Sequence, residues 1–528
     1  MHSRRQLRMK SRLICIAATI FVSLQMAAQR PAQHHHYKLV DIGTFGGPNG
    51  GINNPSARAL NNLGILVGVS DTPFPDPYAP NMCFVDCLVN RGFLWSGNEV
   101  IELPPLPGAG KNLSSFPGSI NAWGWAVGQA QNGKIDAATQ WPETRAVLWA
   151  DKGILDLGSL GGTQGIANAI NHLGQVVGAS ATGTLDPFAN SPLASCIVLF
   201  GIFCGNSSFA QLALFSPVTT EIHAFRWQGE SMQDLGTLGG PDSTAWMIND
   251  RGEVAGYSFT SFTINASTGV PTVEPFFWSP KDGMIPMGSL GGTFGAPWWI
   301  NKKGEVAGSS NLAGDQTEHP FLWSKATGMK DLGTLGGTFG HPDAMNDAGD
   351  VVGFAFTAGD QVGHAFLWHD GVMTDLGALP AFPDTEAWSI NSKGQVVGGS
   401  TFRDIYGFLW ENGGPMVDLN QLVVPGADLT VISGFLINDH GEIACLGELP
   451  NGDRHPCILI PCDGDHHDVE GCDYSMVDAT VAQNNNSAPR PVAVTPQSTS
   501  SPAQSVNQLR NRGMQRYRLP GQRMVPRG

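Results

Sequence analysis

One short unit recurs eight times in this chain, and its clearest copy runs over residues 331–368 (DLGTLGGTFGHPDAMNDAGDVVGFAFTAGDQVGHAFLW). A sequence that repeats at a fixed period builds a stack of equivalent supersecondary modules, so the architecture is constrained before any residue is given a role. The anchor of the unit is an Asn followed three residues later by Gly: Asn61/Gly64, Asn121/Gly124, Asn171/Gly174, Asn249/Gly252, Asn301/Gly304, Asn346/Gly349, Asn391/Gly394 and Asn438/Gly441. Successive anchors lie 60, 50, 78, 52, 45, 45 and 47 residues apart, a core period of about 45 stretched by insertions.

Each unit carries four apolar runs separated by Gly, Asn and Asp. They are typified by residues 245–249 (AWMIN) before the Asn, 395–400 (QVVGGS) after the Gly, 364–368 (HAFLW) and 372–376 (VMTDL). Five-residue runs rich in Val, Ile, Phe and Trp between turn-forming residues read as antiparallel strands, and INDRG, INKKG and MNDAG have the Asn, Asp and Gly that a tight hairpin needs. No window holds a 3.6-residue apolar period long enough for a helix. Four short strands at this period make a β-propeller blade, so the chain is expected to be all-β, a β-propeller of about eight four-stranded blades. The repeat region opens with a fourth-strand sequence at 37–43 (YKLVDIG) and ends with a third-strand sequence at 456–461 (PCILIP). Pairing the two removes two open sheet edges, so the N-terminal strand is expected to close the ring.

Composition agrees with an extracellular β protein. Gly is 67 of 528 residues, roughly twice ordinary usage, and charged residues are 14% where ~25% is usual. Residues 1–28 have a basic start (Arg4, Arg5, Arg8, Lys10), an apolar stretch and small residues at Ala27 and Ala28, which is a secretory signal too short to span a membrane comfortably. No transmembrane segment is expected after its removal. Eight cysteines then remain, an even number suited to disulfides in an oxidising compartment. In unit eight Cys445 stands where the other units have a second-strand Gly, and Cys457 stands where most have a third-strand Phe. Two simultaneous exchanges imply touching positions, so Cys445–Cys457 is expected as a cross-strand disulfide. Cys462–Cys472, Cys83–Cys87 and Cys196–Cys204 are the remaining expected pairs.

Residues 1–28 carry +5 and residues 473–528 another +5, so the total of −15 leaves −25 for the repeats between them. So acidic a body excludes nucleic acid as a partner bound through its phosphates. The stretch 473–528, rich in Gln, Asn, Ser and Pro and ending in Arg510, Arg512, Arg516 and Arg518, reads as a disordered basic tail.

The tripeptide His-Ala-Phe before Leu/Arg-Trp, literal at His223–Phe225 and His364–Phe366, follows INxxGxVVG and precedes DLGTLGG. In this combination it resembles the extracellular HAF repeat family, secreted or surface proteins of bacteria, over residues 37–460. Elsewhere the tripeptide becomes HPF at His319, EPF at Glu274, RGF at Arg91, YGF at Tyr406, RAV at Arg145 and HPC at His455. The resemblance implies fold and an extracellular or cell-surface location and lends no catalytic residue.

The candidates for chemistry are few. His223, His319, His364 and His455 recur at one place in separate units and read as strand-edge polar groups rather than metal ligands. The Asp of DLG (Asp41, Asp156, Asp234, Asp331, Asp375, Asp418) reads as a turn device that accepts backbone N–H bonds. Trp298 and Trp299, or Trp123 and Trp125, are the adjacent aromatics that could form a ligand-binding platform. Residues 462–472 (CDGDHHDVEGC) form an acidic, disulfide-closed loop in which Asp463, Asp465, His466, His467 and Asp468 could hold calcium or another metal; no other cofactor is expected. No nucleophile elbow, HExxH or Ser/His/Asp set is present. Insertions at 71–91, 129–144, 181–222 and 259–274 fall between second and third strands of units one to four, so length variation should gather on one face. That face is expected to bind an extracellular carbohydrate, matrix or protein ligand, with the protein a non-catalytic monomer; the alternative is an extracellular propeller enzyme acting on glycans as lyase or hydrolase.

Overall fold

The computed structural model describes residues 33–52, 58–79, 86–97, 99–108, 112–150, 153–188, 218–265, 271–380, 382–400, 406–411 and 413–478. The expected signal segment, the tail beyond 478, and Cys83, Cys196 and Cys204 lie outside these residues. Within them the chain is all-β, with a single 3-10 turn at Leu419–Gln421.

The strands group into eight four-stranded antiparallel units. Unit six shows the plan: Gly336–Met345 pairs with Val351–Thr357, which pairs with Gly363–His369, which pairs with Val372–Asp375. These are the four runs read from the sequence, in the same order. Units four, five and six are further joined by the single parallel bridges Val273 to Phe294 and Glu318 to Phe339. Unit eight takes its first three strands, Thr430–Ile437, Ile443–Glu448 and Arg454–Pro461, from the end of the repeats and its fourth, Tyr37–Asp41, from the beginning. The register of that last pair runs from Tyr37 opposite Pro461 to Asp41 opposite Cys457, the pairing the sequence called for. Gln33–His35 adds a pairing that was not foreseen, with Met476–Asp478. The segment read as the start of a disordered tail is therefore ordered as far as Asp478. The Cys462–Cys472 disulfide just before it shortens the free chain and holds it against the N-terminal strand.

The repeated Asn has two tasks. Its Oδ1 closes its own turn by accepting the N–H groups two and four residues on, as Asn61 does from Leu63 and Ile65, and Asn438 from His440 and Glu442. The Gly that completes each turn has positive φ, from 71° at Gly64 to 101° at Gly349, which favours Gly. The Nδ2 of the Asn donates to the main-chain carbonyl of the next unit's Asn: Asn61 to Asn121, Asn121 to Asn171, Asn171 to Asn249 and Asn249 to Asn301. Asn346 to Asn391 and Asn391 to Asn438 continue the chain, and Asn438 returns to Asn61 at 3.0 Å. At Asn301 the contact is with Met345 Sδ at 4.0 Å instead. Asp at these positions could close the turn and would lack the donor for the neighbour, which is the physical reason that Asn recurs.

Phe on the third strand packs over Gly on the second. Gly68 faces Phe93 and Gly308 faces Phe321, and a Cβ on Gly68 would lie 2.7 Å from the Phe93 ring. Phe93, Phe225, Phe276, Phe321, Phe366 and Phe408 are all fully buried. In unit eight the same two positions hold Cys445 and Cys457, opposite each other in register and joined by a disulfide with a Cα separation of 4.9 Å. Cys87 is also disulfide-bonded.

Candidate functional site

The His and Asp of the repeat meet within each unit, across the third and fourth strands. His223 Nδ1 lies 2.8 Å from Asp234, His319 Nδ1 3.0 Å from Asp331, His364 Nδ1 2.9 Å from Asp375, and His455 Nδ1 2.9 Å from Asp41. Arg145 and Arg91 make the corresponding pairs with Asp156 and Glu102. The same carboxylates accept the N–H two residues on, at Gly43, Gly158, Gly236, Gly333 and Gly377. Each pair is complete inside its own unit and serves as a turn clamp, as the sequence suggested for the Asp; the partnership with His was not read from it.

The acidic loop does not assemble the expected ligand set. Asp463 is occupied in turning the chain, accepting from the Asp465 and His466 backbones and lying 2.7 Å from His466 Nδ1. His467 and Asp468 pair with each other at 3.1 Å and are largely in solvent. Consecutive residues in a tight turn fan outward, so alternation along the loop separates these groups instead of converging them.

Of the candidate tryptophans, Trp123 is 69% exposed in the turn after Asn121, its indole donating to the His172 carbonyl at 2.9 Å. Trp123 and Trp125 belong to a first-to-second-strand turn, and so to the side of the sheets opposite the second-to-third hairpins. Trp298 is 6% exposed and meets Trp246 edge-on at 5.9 Å, while Trp299 lies under the Arg58 guanidinium at 5.1 Å. In neither adjacent pair, Trp123 with Trp125 or Trp298 with Trp299, are both indoles exposed.

The insertions extend the second-to-third hairpins. Leu66–Pro75 and Leu88–Ser96 in unit one, Ala126–Ile135 and Pro142–Ala150 in unit two, Val176–Leu185 and Thr220–Gln228 in unit three, and Val254–Ile264 and Pro271–Ser279 in unit four are strands of 9 to 11 residues. Their counterparts in units five and six have 7 residues. The ends of these long hairpins expose Phe74, Ile135, Leu185, Phe262 and Ile264, with Leu185 at 76%. At the root of the first hairpin Asp71 accepts from the Asn49 backbone at 3.1 Å and from Asn90 Nδ2 at 2.6 Å. Burial, with Asp86 close by, pushes its carboxyl up to about 8.

The first strands of the units carry features that no motif announced. In units two to eight the first strand shifts register three residues before the anchor, between Pro117 and Ser119 in unit two and between Pro342 and Ala344 in unit six, for example. Such a bulge leaves one residue unpaired and re-aims it. The bulged positions are Gly118, Asn168, Trp246, Trp298, Asp343, Trp388 and Phe435. Arg58 holds the equivalent place in unit one. Its guanidinium donates to the carbonyls of Ile248 in unit four and Ile300 in unit five, so first strands from opposite sides of the repeat order converge on it. Replacing Arg58 with Met, similar in length but without donors, should cost about 1–3 kcal/mol by leaving those carbonyls unsatisfied. Urea unfolding of the two proteins checks this, and equal midpoints would refute it.

On the first strands of units six and seven, Asp343 and His341 of the one meet Glu386 of the other. His341 Nε2 lies 3.1 Å from Glu386 Oε1 and 3.6 Å from Asp343 Oδ2. His341, Asp343, Glu386 and the neighbouring Glu318 are 4%, 3%, 2% and 2% exposed. Burial pushes the imidazole pKa down, but Asp343, Glu386 and Glu318 together outweigh it and hold it above the ordinary value. Sequence reading missed this group, although a signal existed: His341 and Glu386 each stand five residues before an anchor Asn. In other units that place holds Phe116, Ile166, Thr244, Ala296 or Ser433.

No protein-family profile matches this sequence, nor does the sequence of any characterised protein. Among solved structures, the chain is similar to hydrazine synthase of Kuenenia stuttgartiensis at 11% identity and TM-score 0.31, over 59% of this chain and 44% of that one. It is similar to an ulvan lyase at 9% identity and TM-score 0.33, over 81% and 96%, and to dipeptidyl peptidase 4 of Porphyromonas gingivalis at 8% identity and TM-score 0.35, over 85% and 61%. The chain thus spans less than half the length of the hydrazine synthase chain it matches.

Proposed function

We propose that the eight units close into an eight-bladed propeller of the extracellular HAF repeat type, outside the cell or on its surface, and that it is a binding protein without catalysis of its own. The observation that carries the reading is the row of long hairpins in units one to four with Phe74, Ile135, Leu185, Phe262 and Ile264 exposed at their ends. Loops on a rigid scaffold are where recognition concentrates, and apolar groups rimmed by polar chain mark a surface meant to be covered. Aliphatic tips such as Leu185 and Ile135 favour a protein or matrix partner over a sugar, which would be met by flat aromatic faces. The test is an array of matrix proteins and glycans probed with the purified chain and with the Phe74→Ser, Leu185→Ser, Phe262→Ser variant. The variant should fold unchanged, since surface substitutions shift stability by ~0.5 kcal/mol or less, and should lose binding at least roughly tenfold. Undiminished binding to the identified partner would move the site, and release of cleaved sugar from any glycan would replace the reading with the enzymatic one.

A further inference from the structure

We propose that His341 Nε2, Asp343 Oδ2 and Glu386 Oε1 bind one divalent transition-metal ion, zinc by preference, which fastens the first strand of unit six to that of unit seven. The spacing supports this first. Donors placed about 2.0–2.1 Å from a tetrahedral zinc stand ~3.3–3.4 Å apart, and His341 Nε2 is 3.1 Å and 3.6 Å from its two carboxylate partners. All three donor atoms lie within 4.8 Å of one another, and this is the one such group among the described residues.

The second support is the repeat itself. At the equivalent places the other units have small, apolar or uncharged residues, apart from Arg58 of unit one, whose guanidinium is met by the Ile248 and Ile300 carbonyls, so the scaffold has no need of acidic groups there. Units six and seven depart from it at three positions that converge on one point. His341 and Asp343 reach that point from one strand because the bulge between Pro342 and Ala344 turns Asp343 out of the ladder; Glu386 reaches it from the first strand of the next unit.

Charge is the third. Asp343, Glu386 and Glu318 put three carboxyls around one imidazole, all nearly inaccessible to water. Burying like charges is costly unless they are protonated or a cation joins them, and a divalent ion offsets two of them. Calcium fits poorly, because it takes six to eight oxygens and this group offers a nitrogen among its three donors. A mixed nitrogen and oxygen set suits zinc, cobalt, nickel or manganese.

The test begins with the full chain refolded in the presence of zinc chloride and passed over a desalting column containing a chelator. Mass spectrometric metal analysis should then find about one zinc per folded chain, with a melting temperature above that of protein refolded without metal. The His341→Asn and Glu386→Gln variants should each retain roughly tenfold less zinc, while a His466→Ala, His467→Ala variant retains it in full. Should the first two variants fail to fold, X-ray absorption of the zinc-loaded natural chain decides: a shell of nitrogen and oxygen with one imidazole supports the site. Folded chain without zinc, full zinc retention by His341→Asn and Glu386→Gln, or a shell of sulfur or several imidazoles would overturn it.

Discussion

A chain beginning at Ile42 should melt roughly 10 °C or more below the chain that keeps Gln33–Asp41, whereas one ending at Asp478 should melt with the full-length protein. The difference follows from what each end covers. Tyr37 and Leu39 are 2% and 8% exposed and pack with Leu459, Leu419 and Leu422, and full burial of such a side chain is worth about 1.5–3 kcal/mol. Their loss also uncovers Cys457, Ile458 and Leu459, which no water reaches in the complete protein. The backbone suffers as well: Tyr37 donates to the Leu422 carbonyl and accepts from Val424, so the strand ties unit eight to the chain leaving unit seven. A three-stranded unit eight would present an apolar edge, the template for pairing with another molecule. Calorimetry of the two truncations decides the matter, and equal melting temperatures would remove the proposed closure from the account of stability.

That the closing strand could be read from sequence, while the buried His–Asp–Glu group could not, has a physical reason. A repeat supplies its own alignment, so residues at one position report on each other without any structure. The exchange of Gly and Phe for Cys445 and Cys457 revealed a contact because both members changed together against a constant background. The order of strands was legible for the same reason, through Asn-x-x-Gly turns that have one geometry. His341 and Asp343 looked like polar residues near a turn, and Glu386 lies 45 residues from His341, one full unit away. Joining them required two facts that apolar alternation hides: that first strands of neighbouring units lie side by side, and that a bulge turns Asp343 toward them. Bulged positions hold Gly, Asn, Trp, Asp and Phe alike, so composition does not mark them. The acidic loop erred in the opposite direction. Nearness in sequence suggested a ligand set, but a tight turn spends Asp463 on its own backbone and turns His467 outward.

The same bonds make opposite demands at the two ends of the pH scale, and the protein should be most stable at about pH 4 to 5, losing stability on either side. Asp71 is held protonated in the fold, its carboxyl raised by burial and by Asp86 to about 8. Asp242 is raised by burial and by the charge of Asp186, and Asp76 and Asp384 are raised by burial. A group whose folded pKa exceeds its unfolded value binds more protons when folded, so its contribution is complete below the unfolded pKa and is lost as pH rises through the folded one. Two of the clamp histidines, His223 and His364, act in the same sense. At His364 the bond donated to Asp375 raises the pKa, and at His223 burial lowers it but Asp234 and Glu221 more than compensate. Their contribution is present below about pH 6.5 and disappears above it. The partner carboxylates Asp234, Asp331 and Asp375 run the other way. Burial would raise them, but His223, His319 and His364 together with the Gly N–H bonds lower them, so what they add is present above about pH 4 and is lost as pH falls through their depressed pKa. At constant ionic strength the melting temperature at pH 8.5 should therefore lie roughly 5 °C or more below that at pH 5.5. Asp71→Asn, which keeps the shape of the protonated acid and cannot ionise, should flatten the alkaline limb and be the more stable protein at pH 8.5. A melting temperature that climbs from pH 5.5 to 8.5, or an Asp71→Asn curve parallel to that of the natural chain, would contradict the assignment of these groups.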